Sequence, residues 1–131
     1  MEPFILVSAL GKRRLLRVAE VREIVPMMAF ERADDDEGRY KGLINLRGEI
    51  IPIFELDACP VQLSTERYIV ISESEDSPLG LLVDDVHDVV EIPASQVAVR
   101  SVGAGRSEAF ARLDSAVIAV LSPGAVTLAG N

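Results

Sequence analysis

A chain of 131 residues that is 49% hydrophobic and 26% charged has the length of one compact domain and too much aliphatic core material to be disordered. Thirteen Lys and Arg against twenty-one Asp and Glu leave a net charge of −8. That sign argues against a nucleic-acid partner and against an anionic membrane surface, because both bind through clustered cations. The first apolar run, 4–10, is too short to cross a membrane and precedes a basic cluster instead of following one. No membrane insertion or export is expected, and a cytoplasmic location is the default. The cluster itself, Lys12, Arg13, Arg14 and Arg17, reads as a solvated turn and strand face, with a basic binding patch as the alternative. Further short strands are predicted over 14–18, 49–56, 68–72, 80–83, 89–92 and 116–121, each rich in Val, Ile or Leu and bounded by Gly, Pro or charge. Residues 18–25 fit one or two helical turns or a strand followed by a turn. Residues 27–41 read as an exposed loop around Asp34-Asp35-Asp36-Glu37-Gly38, and 100–107, with Gly103 and Gly105, as a second loop. Seven or more strands, with no window that sustains helical periodicity for three turns, make a mostly β protein.

Sliding the chain by 65 residues reveals an internal repeat. Val18-Ala19-Glu20-Val21-Arg22-Glu23-Ile24-Val25 falls over Val83-Asp84-Asp85-Val86-His87-Asp88-Val89-Val90, and Phe4-Ile5-Leu6-Val7-Ser8 over Ile69-Val70-Ile71-Ser72-Glu73. With two more residues inserted, 46–54 falls over 113–121. Each copy reads strand, strand, a V-x-x-V-x-x-[IV]-V turn, an irregular loop, then a polar hairpin tip and an apolar strand. The expectation is one domain over 1–131, made of two similar half-barrels, 1–65 and 66–131, open to an exchange of terminal strands. Units of that size are marginal alone, so they should share an interface.

Little in the chain suggests catalysis. His87 is the only histidine, which excludes a multi-histidine metal site; its neighbours Asp84, Asp85 and Asp88 read as turn acids of the repeat. A small-molecule or metal-binding regulatory β domain built on the 84–88 cluster is the alternative functional reading. The acidic 34–37 run lacks the alternating ligands of a calcium loop, and 100–107 lacks the Lys-Ser/Thr of a phosphate loop. Cys59, the single cysteine, has no base beside it and forms no internal disulfide. No serine sits in a G-x-S-x-G elbow. No cofactor is implied. The segment that stands out is Gly42-Leu43-Ile44-Asn45-Leu46-Arg47-Gly48-Glu49-Ile50-Ile51-Pro52-Ile53. It predicts strand, tight turn at Arg47-Gly48, strand, with a guanidinium held at the tip and suited to a carboxylate or backbone carbonyls of a partner. The other copy has Leu113-Asp114-Ser115 there, so only one repeat is specialised.

This segment, together with Val21-Arg22-Glu23-Ile24 and Gly80-Leu81-Leu82-Val83-Asp84-Asp85-Val86-His87-Asp88-Val89-Val90-Glu91-Ile92, resembles the CheW family of chemotaxis coupling proteins over roughly 4–121. The resemblance implies two packed SH3-like five-stranded β-barrels, no catalysis, and a cytoplasmic adaptor between a CheA-type histidine kinase and the cytoplasmic tip of a methyl-accepting chemoreceptor. By matching position it implies partner contacts at Val21, Glu23, Gly42, Asn45, Arg47 and Gly48. Departures are the acidic 31–37 stretch, the abrupt 58–65 connection, and a missing C-terminal helix after Ser122-Pro123-Gly124. They fit a divergent relative serving a pilus-motility or surface-sensing pathway.

Overall fold

The computed structural model describes residues 1–34, 38–57, 59, 64–74 and 77–124. Twelve strands follow in chain order: β1 Glu2–Ala9, β2 Lys12–Arg17, β3 Val21–Pro26, β4 Glu31–Arg32, β5 Tyr40–Leu46, β6 Glu49–Phe54, β7 Tyr68–Ser74, β8 Ser77–Val83, β9 Asp85–Ile92, β10 Val97–Gly103, β11 Arg106–Leu113 and β12 Ala116–Leu121. They form two six-stranded sheets, ordered β10-β11-β12-β2-β1-β9 and β4-β5-β6-β8-β7-β3. Written this way the two orders are the same list, with each strand of one half standing where its repeat partner stands in the other sheet. The first sheet combines β1 and β2 with β9 to β12; the second combines β3 to β6 with β7 and β8. Each sheet thus draws on both halves of the chain, and the repeat boundary near residue 65 does not coincide with the boundary between sheets.

Three apolar clusters explain why the strand runs look as they do. Ile44, Leu46, Ile51, Ile53, Ile69, Ile71 and Leu82 fill the inside of the second sheet. Phe4, Leu15, Ile92, Ala111, Ile118 and Val120 fill the first. A third cluster lies between them: Ile5, Val7, Ala9 and Leu16 from the first sheet meet Phe54, Leu56, Val70, Leu79, Leu81 and Val83 from the second. In β1 and β7 successive side chains alternate between an inner core and this shared one, so both faces are buried. Two-sided burial produces unbroken runs such as Phe4-Ile5 and Ile69-Val70-Ile71 where one-sided strands would alternate with polar residues. Gly80 sits where a Cβ would meet Ile69 at 2.8 Å and Ile53 at 2.9 Å, which lets β8 lie flush against its neighbours.

Polar groups clasp the same interface. Buried Arg67 forms a two-pronged pair with buried Glu55, both contacts at 2.7 Å, and its Nε lies 2.8 Å from Asp84. Asp84 in turn accepts the Leu10 N–H at 2.9 Å, and its own N–H donates to the Ser8 carbonyl at 2.7 Å. Burial alone would push the Arg67 guanidinium down; the bonds and charge of Glu55, then of Asp84, outweigh it and hold it above its ordinary value. Buried Lys41 donates to the Cys59 carbonyl. None of these buried charges was expected from the sequence.

Several local expectations are corrected. Residues 100–107 are not an open loop but the tip of the β10–β11 hairpin, because positive φ is confined to Gly103, Ala104 and Gly105 and the flanks stay extended and paired. The 27–41 stretch contains the two-residue β4 and the start of β5; 35–37 lie outside the described residues. Residues 18–25 are one 3-10 turn, Val18–Glu20, followed by β3, while the matching acids at 85 and 88 lie on a strand, β9, and not on a turn. Pro123 and Gly124 have helical backbone, as Ser followed by Pro suits at a helix start. The question of a C-terminal helix falls on 125–131, outside the described residues. Among the described residues no helix is long and apolar enough to cross a membrane.

Candidate functional site

The turn between β5 and β6 is built as predicted. Leu46 pairs with Glu49, and the two residues between them, Arg47 and Gly48, have φ of +52° and +89°. Positive φ at both positions gives the turn a twist that matches its flanking strands. The Asn45 side chain accepts the Gly48 N–H at 2.8 Å and pins the tip. Arg47 projects from it with 65% of its side chain exposed, and its Nη2 lies 2.5 Å from Glu23 on the neighbouring end of β3. Beside it Arg22 reaches Glu49 at 2.8 Å, Glu73 at 3.2 Å and Glu23 at 3.4 Å.

Five charged side chains from β3, the hairpin and β7 therefore meet on one surface. The Arg47 guanidinium holds the Glu23 carboxyl below its ordinary value, with Arg22 adding to the effect. Hydrogen bonds to Glu49, then to Glu73, raise Arg22. Exposed pairs of this kind contribute little stability; their effect is to order long side chains into a fixed pattern of donors and acceptors. Ile50, directly after Glu49 and opposite Asn45, is 57% exposed on the other face of β6 from Glu49.

Of the six residues singled out in the sequence, Glu23, Asn45, Arg47 and Gly48 come together here. Val21 lies at the start of β3, half-buried and packed on the core between the sheets. Gly42 is buried in β5, and a Cβ there would stand 1.9 Å from the Glu31 carbonyl oxygen; at φ +143° it serves the close approach of β4 to β5. Sequence reasoning missed Arg22, Glu49 and Glu73. The repeat carried a usable signal: a shift of 65 sets Arg22 over His87 and Ser8 over Glu73, and the structure joins each pair across its strands, Arg22 to Glu73 and His87 Nε2 to Ser8 Oγ at 2.5 Å.

The 84–88 cluster does not converge. Asp84 turns to Arg67 and Leu10, His87 to Ser8, and Asp88 to the N–H of Val89. Among the described residues no group of three His, Cys, Asp or Glu is placed to hold a metal ion. Burial, with Glu55 adding, pushes the Cys59 thiol up, the opposite of an activated nucleophile.

Two twinned β sheets that present a pre-ordered charged surface define a recognition module. Comparison with known proteins gives the class its family: the CheW-like domain matches residues 3–128, and the chain belongs to that family. The chain is 27% identical to the chemotaxis protein CheW of Bacillus subtilis strain 168 over 100 residues, 73% of this chain and 64% of that protein's length. Its fold matches the crystal structure of the scaffolding protein TtCheW from Thermoanaerobacter tengcongensis with a TM-score of 0.78 at 23% identity, over 92% of this chain and 88% of that one.

Proposed function

We propose that this protein is a cytoplasmic coupling adaptor that holds a chemoreceptor tip and a CheA-type histidine kinase in one complex, with the Arg47 hairpin as the receptor-docking point. The observation that carries the docking assignment is the ordered tip itself. Arg47 is mostly exposed, aimed by a pinned turn and oriented by Glu23, so docking immobilises little further side-chain freedom. Glu23 holds one side of the guanidinium while its remaining donors face outward, a geometry that suits a partner's carboxylate or backbone carbonyls. Glu49 and Glu73 offer acceptors to the same partner. The kinase would occupy a different surface.

The test is Arg47→Glu in a receptor pull-down beside a thermal melt. The melt should stay within about 0.5 kcal/mol of the parent, as for a surface change, while receptor capture falls at least about tenfold. Undiminished capture by a folded variant would remove the hairpin from this role.

A further inference from the structure

The basic stretch beside the first hairpin turn differs from the arginine that follows it on β2 and from those around the Arg47 hairpin. Arg17, Arg22 and Arg47 are each held by a carboxylate. Among the described residues no carboxylate lies within ion-pair reach of Lys12, Arg13 or Arg14, and the Arg14 guanidinium donates only to the Arg13 carbonyl. In a protein of net charge −8, three consecutive cations left unneutralised at one hairpin end are a local reversal of sign.

The hairpin is also fixed in place. Leu10 and Gly11 form its turn at φ of +54° and +78°, an unfavourable conformation for leucine. The turn is held by the Leu10 N–H bond to Asp84. Asp84 is itself engaged by Arg67, so the nearest acid on the β9 side is already spent and does not cancel the tip. Asp85 stands one strand further off, in register with Ser8, which pairs with Arg13. Finally, β2 pairs with β12 only at Leu15 and Leu16, so Lys12, Arg13 and Arg14 have a ladder partner on the β1 side alone.

We propose that the Lys12-Arg13-Arg14 end of β2 is a docking edge for an acidic, extended segment of a partner protein. The segment lies across the exposed side chains of this strand end, its carboxylates answering the three cations. Three cations are too few to hold a nucleic-acid backbone against the acids of the rest of the surface, whereas they match a segment with two or three carboxylates. The edge belongs to the opposite sheet from the Arg47 hairpin, so its occupation is independent of receptor docking.

The experiment uses the full chain and a fluorescein-labelled peptide alternating Glu and Val over six residues, read by anisotropy at roughly 50 mM salt. The peptide should bind, weaken as salt rises, and lose at least about tenfold in affinity with Lys12→Glu, Arg13→Glu and Arg14→Glu combined. Arg17→Gln, which removes a paired cation from the same strand, and Arg47→Glu should each change affinity less than about twofold. A charge-keeping variant, Lys12→Arg with Arg13→Lys and Arg14→Lys, should bind like the parent and guards against a reversal that misfolds. The proposal is overturned if the parent ignores the peptide, or if reversal leaves affinity unchanged. Tighter binding of a six-residue oligothymidylate would overturn it in favour of nucleic acid. Self-association that disappears on reversal, with no peptide binding, would overturn it in favour of a second copy.

Discussion

The hairpin tips at 46–49 and 113–116 occupy matching places in the two sheets, and the contrast between them shows which one is specialised. Both carry a non-glycine residue in the left-handed region, Arg47 at +52° and Asp114 at +50°, so the backbone demand is the same. The side chains are opposite in sign. Around Arg47 stand Arg22, Glu23, Glu49 and Glu73; the matching positions around Asp114 are His87, Asp88, Ala116 and Ser8. The ion pair of Arg22 with Glu73 becomes a single hydrogen bond between His87 and Ser8. Duplication kept the geometry that folds the sheet, and the charges that a partner would read were free to diverge.

The asymmetry extends inward, where the largest effect is expected. Arg67 and Glu55 form a buried pair in the second sheet, and the matching positions in the first, Glu2 and Ser122, hold no such pair. Arg67→Met leaves the Glu55 carboxylate buried without its partner and should cost about 3–5 kcal/mol in chemical denaturation. Adding Glu55→Leu should recover most of that loss, since two apolar groups replace the pair; failure to recover would mean that Asp84 and the shared clasp carry the interface instead.

A smaller effect is expected at Gly42, whose counterpart in the other sheet is Ala109. At φ +143°, against the Glu31 carbonyl, Gly42→Ala should destabilise by about 1–3 kcal/mol from backbone strain, with the steric clash adding to it. The reverse change, Ala109→Gly, should cost about 0.5–1 kcal/mol through chain entropy alone. Equal losses at the two positions would erase the distinction between the sheets at this point. Comparison of melting curves decides it.

The smallest effect concerns pH. The Glu23 carboxyl is held below its ordinary value of 4.5, so its stabilising contribution is present above that value and disappears as pH falls through the lowered one. The stability difference between the parent and Glu23→Gln should therefore shrink toward zero on acidification, and 1 M salt should reduce it at neutral pH. The matching substitution Asp88→Asn, at a carboxylate with no arginine in ion-pair reach among the described residues, should show no such screening. A difference for Glu23→Gln that persists at low pH would point to packing and not to charge.

Much of this was legible in the chain because its causes are local. Short runs of Val, Ile and Leu bounded by Gly and Pro marked seven of the strands, and the Asn45 to Gly48 turn followed from residue types that tolerate positive φ or pin a turn. The misreadings have a common origin. Residues 100–107 carry two glycines and two serines and resemble a loop, yet pairing across the hairpin made all but Ala104 and Gly105 strand; no local preference reports a ladder partner. Arg67, Glu55 and Lys41 look like surface residues in one dimension, and only their meeting between the sheets compensates the cost of burying them. Arg22 was passed over because its acids, Glu49 and Glu73, lie 27 and 51 residues away in sequence.

By itself, then, the sequence determined a duplicated, mostly β chain with one specialised hairpin, because hydrophobic patterning, turn chemistry and repeat offset act over a few residues. The tertiary structure decided which half supplies which strand. Unbroken apolar runs such as 69–71 bury two faces, and the chain alone does not say whose side chains lie on each. Pairing β1 and β2 with the second half, and β7 and β8 with the first, satisfies both faces at once. The same arrangement places the Arg47 hairpin and the unneutralised Lys12-Arg13-Arg14 edge on opposite sheets.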